Sequence, residues 1–142
     1  MRFWDSSAVV PLLVRQAASD RAEAELRSDG HMVVWWATSV ECLSAISRQE
    51  RAGSVDEATA ARARRVLGNM AGVWTEVGPT EDVRELAGRL LRRHALRAAD
   101  ALQLAAALAW AETRPHGHEV CVLDGRLADA AGLEGLEIAL GP

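Results

Sequence analysis

A chain of 142 residues with 49% hydrophobic and 25% charged residues is long enough for one globular core and too apolar to stay disordered. Its net charge of −4 excludes a bulk basic surface for nucleic acid, so any polyanion contact must be local, and all 16 positive residues are arginines. Cys42 and Cys121 have no CxxC spacing and read as buried reduced thiols, and no membrane-length apolar run or signal-peptide core occurs, so a cytoplasmic protein without a membrane partner is expected.

The chain opens on a short strand, Arg2 to Trp4, that ends at Asp5. Ser6 and Ser7 start a helix carrying Val9, Val10, Leu12, Leu13 and Val14, and a charged helix from Arg21 to Arg27 follows. Asp29-Gly30 signals a turn before an apolar run, His31 to Trp36, short enough to be a strand. Neighbouring strand residues face opposite sides, so at least one of Trp35 and Trp36 is core, and both are expected to be packed. Thr38-Ser39-Val40-Glu41 has capping-box spacing and opens a helix to about Ala52, ended by Gly53. An amphipathic helix is expected from Ser54 to about Met70, a strand from Val73 to Val77 and a helix from Glu81 to Arg93.

The stretch from Ala98 to Ala111 is rich in Ala and Leu, and Asp100 is the one charged residue between Arg97 and Glu112. A helix apolar all round is a buried helix, so Asp100 is carried to the rim of a core, where a carboxylate needs a cap, an arginine or a metal. A fourth strand, Glu119 to Leu123, ends at Asp124-Gly125, and a short helix from Arg126 to Ala131 and a last strand from Leu136 to Leu140 complete the chain. This βα alternation predicts an α/β three-layer sandwich, with a mainly parallel central sheet flanked by helices. Ligands of such sheets bind beyond the carboxyl ends of the strands, near a reversal in strand order.

Four acids share that address. Asp5 and Asp124 each end a strand and start a helix, while Glu41 and Asp100 each stand in the first turn of a helix. Capping explains each one singly. It does not explain why all four fall where strand ends converge, and gathered carboxylates repel one another unless a cation sits among them. Oxygen-only ligands select Mg²⁺ or Mn²⁺, ions suited to phosphodiester hydrolysis.

The segments Phe3-Trp4-Asp5-Ser6-Ser7-Ala8-Val9-Val10, Ser39 to Arg48, Leu96 to Ala105 and Val120 to Leu127 resemble the four motif blocks of PIN-domain ribonucleases, and most of all the VapC toxins of bacterial toxin–antitoxin pairs. The resemblance spans essentially the whole chain, so residues 1–142 are expected to form a single PIN-like domain. It implies a Mg²⁺- or Mn²⁺-dependent endoribonuclease whose four acids match Asp5, Glu41, Asp100 and Asp124, and whose small hydroxyl residue matches Ser6 or Ser7. It further implies an RNA substrate, a cognate small antitoxin and a homodimer. Many relatives carry Thr or Ser two residues before the fourth acid, where this chain has Val122.

On this reading Asp5 and Asp100 hold the principal metal, and Asp124 and Glu41 complete the pocket, hold a second ion or orient the attacking water. Ser7, Arg48, Arg97 and Arg126 are the candidates for substrate contact, with a structural ion pair as the alternative for each arginine. His116 and His118 read as surface histidines. A receiver domain or a haloacid-dehalogenase-type phosphatase would require a lysine, and a P-loop enzyme would require GxxxxGK[ST]; none of these occurs. The competing function is a catalytically inactive PIN-like module that binds RNA or a protein partner, and Val122 is its best support.

Overall fold

The computed structural model describes residues 1–142. Its elements alternate as the sequence pattern predicts: β1 (Arg2–Trp4), α1 (Ser6–Leu13), α2 (Ser19–Ser28), β2 (Met32–Trp35), α3 (Thr38–Arg51), α4 (Glu57–Ala71), β3 (Thr75–Val77), α5 (Glu81–Arg93), α6 (Ala98–Trp110), β4 (Glu119–Cys121), α7 (Gly125–Leu133) and β5 (Glu137–Leu140). The five strands form one sheet in the order β3-β2-β1-β4-β5, and every pairing is parallel. The chain lays β2 and β3 on one side of β1, then crosses to lay β4 and β5 on the other. The strand order therefore reverses at β1, with Phe3 in register with Val33 on one side and Val120 on the other.

Side chains along a strand alternate between the two faces, and this alternation divides the core. Phe3, Val33, Trp35, Val120 and Val122 face one layer, where Val83 and Leu90 of α5, Leu104 and Leu108 of α6 and Leu127 of α7 bury them. Trp4, Met32, Val34 and Cys121 face the other, against Val9 and Leu13 of α1, Cys42 and Ile46 of α3, and Ala60, Ala63 and Leu67 of α4. The result is the expected three-layer sandwich. Truncating a buried leucine such as Leu104 to Ala would cost about 2–5 kcal/mol in lost transfer energy and cavity formation. Both cysteines are free and buried, and burial pushes each thiol up to about 12, which leaves them protonated packing groups. No helix is long and apolar enough to cross a membrane.

Several boundaries differ from expectation for local reasons. α4 starts at Glu57 rather than Ser54, because the Asp56 carboxylate accepts the Thr59 N–H at 2.8 Å and caps it there. β3 begins two residues late, and Val73, 86% exposed, precedes it. β2 stops at Trp35, so Trp36 is 53% exposed and only Trp35 is core. The capping box expected at Thr38 and Glu41 does not form: the residue in the cap position is Ala37, which has no side-chain acceptor, and both polar side chains are engaged elsewhere. α6 is buried at Ala101 and from Gln103 to Leu108, but Ala98 and Ala99 are exposed and Asp100 is half-buried, so its first turn stands clear of the core.

Candidate active site

The parallel sheet sends the carboxyl ends of β1 and β4 to the same edge, side by side at the point where strand order reverses. The Asp5 N–H donates to the Cys121 carbonyl at 3.0 Å, which ties the two ends together. Asp5, directly after β1, and Asp124, three residues past β4, each cap the helix that follows. Asp5 Oδ2 accepts the Ser7 N–H at 2.8 Å to start α1, and Asp124 Oδ1 accepts the Leu127 N–H at 3.0 Å to start α7. Ser7 joins the two turns, because its Oγ also accepts the Leu123 N–H at 2.9 Å and the Asp124 N–H at 3.3 Å.

Two helices complete the edge. Glu41, in the first turn of α3, has its Oε2 2.7 Å from the Gln103 Nε2, which donates to it. The same nitrogen donates to Thr38 Oγ1 at 3.2 Å. Asp100, in the first turn of α6, accepts the Arg97 backbone N–H at 3.3 Å. This is the acid's half of a capping box; Arg97 has no acceptor atom to return the other half. Asp100 therefore takes part in capping its own helix while it lines the cleft.

All four acids line one open cleft of about 820 Å³, together with Ser7, Arg48, Gln49 and Ser44. Capping and convergence are thus not alternatives: Asp5, Asp100 and Asp124 each cap a helix and still face a common space. Asp5 is 6% exposed, and its carboxyl is raised to about 6. Burial is the largest cause; the hydrogen bonds from Ser7 oppose it, and the negative charges of Glu41 and Asp100 add to it.

The arginines separate. All three are exposed, but Arg48 lines the cleft whereas Arg97 and Arg126 lie outside its lining. The Ser7 hydroxyl oxygen accepts from two backbone N–H groups, which ties it to the site's architecture, and its O–H remains a donor. Val122 is 2% exposed and lines a small, mainly apolar cavity of about 20 Å³ whose walls include Phe3 and Leu127 and also Asp5 and Gln103. Ser7 supplies the hydroxyl that the Asp124 turn uses. His116 is exposed, and His118 packs its ring edge-on against Trp110 with centroids 4.9 Å apart, so neither belongs to the site.

Gln103 is the site residue that the sequence pattern does not single out. One turn after Asp100 in an Ala/Leu helix, it reads as an ordinary polar position. The one signal is that its neighbours 101 and 104–108 are all apolar, so that a primary amide there has to be buried.

The chemistry of the donors is oxygen only, which suits a hard divalent cation. No three Asp, Glu, His or Cys side chains are drawn closely enough together to enclose an ion by themselves. Ions of this class keep several waters and are held by one or two carboxylates, so an open acidic cleft fits them. The raised Asp5 carboxyl points the same way, since a cation would relieve the repulsion from Glu41 and Asp100 that contributes to it.

Comparison with known proteins places this geometry in a family. The profile of the PIN domain matches residues 2–132. Ribonuclease VapC45 and Ribonuclease VapC49, from two strains of Mycobacterium tuberculosis, are each 32% identical over 137 residues, covering 96% of this chain and 93% of theirs. Among solved structures, FitAcB from Neisseria gonorrhoeae superposes with a TM-score of 0.66 at 16% identity, over 97% of this chain and 96% of that one. FitAB bound to the IR36 DNA fragment also superposes with a TM-score of 0.66 at 16% identity, over 100% and 95% of the two chains. At that identity these two speak for the fold alone.

Proposed function

This chain belongs to the PIN-domain family, and from that premise we propose that it is a Mg²⁺- or Mn²⁺-dependent endoribonuclease, the toxin of a toxin–antitoxin pair. The observation that carries the reading is the convergence of Asp5, Glu41, Asp100 and Asp124 on one cleft at the strand-order reversal. Asp5, Asp100 and Asp124 would hold the metal, directly or through its waters. Bound there, it would polarise the scissile phosphate and lower the pKa of a water. Glu41, which lines the same cleft, would orient that water and accept its proton. Arg48 would draw the RNA backbone to the otherwise acidic cleft. Ser7 keeps Asp5 and Asp124 in fixed relation.

Attack by water requires no 2′-hydroxyl nucleophile. The products should therefore lack a 2′,3′-cyclic phosphate, and selection of RNA falls to binding. The cognate antitoxin would be a small protein whose arginine enters among these carboxylates. A homodimer is the expected assembly. Val40 and Leu43, exposed on the helix that carries Glu41, support a protein partner on that side.

The test is cleavage of RNA by the purified protein with Mg²⁺ or Mn²⁺, against EDTA and against Asp5→Ala and Asp100→Asn. Cleavage that requires the metal and both acids supports the reading. Full activity in either variant, or cyclic-phosphate ends, overturns the assignment. The second reading, an inactive binding module, is favoured by the open spacing of the carboxylates. It predicts RNA or protein binding by wild type with no metal-dependent cleavage.

A further inference from the structure

We propose that Gln103 is a positioning residue for the reaction, acting through Glu41. This rests on the metal-dependent ribonuclease reading of the cleft.

The side chain is 2% exposed, and its amide carbonyl oxygen has no hydrogen-bond partner. A buried primary amide with one end unsatisfied is costly, whereas Leu or Met would fill the same volume in this Ala/Leu helix at no such cost. What the amide obtains is on its nitrogen side: both N–H bonds are used, one on Glu41 Oε2 at 2.7 Å and one on Thr38 Oγ1 at 3.2 Å. The reverse orientation would set the amide oxygen against the Glu41 carboxylate, so the charge on Glu41 fixes which way the amide points.

The arrangement couples two helices through one side chain. Thr38 and Glu41 are three residues apart on α3, and Asp100 and Gln103 are three apart on α6, so each pair shares a helix face. Gln103 links the two faces and thereby fixes Glu41 relative to Asp100. Its neutrality matters. An arginine or lysine would hold Glu41 equally well, but its charge would compensate the carboxylate and compete with a cation in the cleft. An amide donates a charge-assisted hydrogen bond and leaves the negative charge in place. The Glu41 carboxylate has no other hydrogen-bond partner. Without Gln103 this half-buried side chain is free to turn into solvent.

The experiment uses Gln103→Met, which keeps the volume and removes the amide, and Gln103→Asn, which keeps an amide one methylene short of Glu41. Both are measured for RNA cleavage with Mn²⁺, alone and in a Glu41→Ala background, and by thermal melting and crystallography. For at least one variant the expected result is a kcat lower by about tenfold to a hundredfold, as for other groups that orient a site from outside it. KM should stay within about twofold of wild type, and the melting midpoint within about 5 °C. In the Glu41→Ala background the substitution should cause no further loss, because its effect passes through Glu41. A wild-type rate in both variants, a loss that persists without Glu41, or failure of both variants to fold would overturn the proposal. If wild type cleaves no RNA, the ribonuclease reading fails by itself. The crystal structure of Gln103→Met then decides the positional claim: Glu41 displaced upholds it, Glu41 unmoved overturns it.

Discussion

At the strand-end corner of the cleft, Asp5 and Asp124 are held by the main chain. Each caps the helix that follows it, the strand ends share a backbone hydrogen bond, and one hydroxyl, Ser7 Oγ, binds the Leu123 and Asp124 N–H groups. At the helical corner, Glu41 is held by a single side chain, the amide of Gln103. Backbone-held acids are set as soon as the sheet and helices form. A side-chain-held acid depends on one rotamer and on hydrogen bonds that span the edge of the sheet between helices of opposite layers. The first corner should therefore tolerate little change without loss of the site, while the second should lose catalytic geometry with the fold intact.

The largest effect is expected at Asp5. Asp5→Asn keeps a capping oxygen and removes the charge, so RNA cleavage should fall by about a thousandfold or more while the protein stays folded. A steady-state rate within tenfold of wild type would break the strand-end half of the comparison.

The same residue predicts an unusual pH dependence. The folded Asp5 carboxyl is raised to about 6, above its ordinary value of 3.8. Between those values the folded state binds more protons than the unfolded state, so metal-free stability contributed by Asp5 falls as pH rises through that window and stays low above it. The difference corresponds to a destabilisation on the order of 3 kcal/mol at pH 7.5 relative to a protonated Asp5. Urea unfolding of wild type and Asp5→Asn at pH 4 and 7.5 in EDTA checks this. The variant should gain on wild type at the higher pH, and saturating Mg²⁺ should restore wild type alone. A wild-type-minus-variant difference that does not change with pH would contradict it.

Ser7→Ala sharpens the comparison from the other side. It leaves two part-buried N–H groups without their acceptor, at a cost of about 1–3 kcal/mol. Stability and cleavage should fall together, unlike Gln103→Met, where cleavage falls alone. The smallest effect separates the arginines. Arg48→Ala should raise KM for RNA about threefold to tenfold without changing kcat, as expected for loss of one phosphate contact. Arg126→Ala, outside the cleft lining, should leave both parameters unchanged.

The same contrast governs how much was legible in the residues. Asp5 and Asp124 stand where a short apolar run gives way to a helix, and a parallel sheet must bring such positions to one edge. Their convergence follows from hydrophobic period and chain order alone. Glu41 was also found, but with the wrong partner: a spacing that fits a local capping box carried no sign that Gln103, 62 residues away, would take the carboxylate instead. Val122, just past β4, is buried with Phe3 and Leu104 and lines one small cavity with Asp5 and Gln103, a setting that closeness in sequence to Asp124 does not disclose. Of the arginines, Arg48 lines the cleft and Arg97 and Arg126 do not, since standing two or three residues from an acid does not put a side chain on the same face of the cleft. Helix faces and strand parity are readable in one dimension; which side chains meet between distant elements is not.

The central claim is that these acids form a hard-cation site. Calorimetric titration of metal-free wild type and Asp5→Asn with Mn²⁺ at pH 7.5 tests it most directly. The account predicts saturable binding by wild type and none by Asp5→Asn under the same conditions. Absence of binding to wild type, or equal binding to the variant, would contradict it.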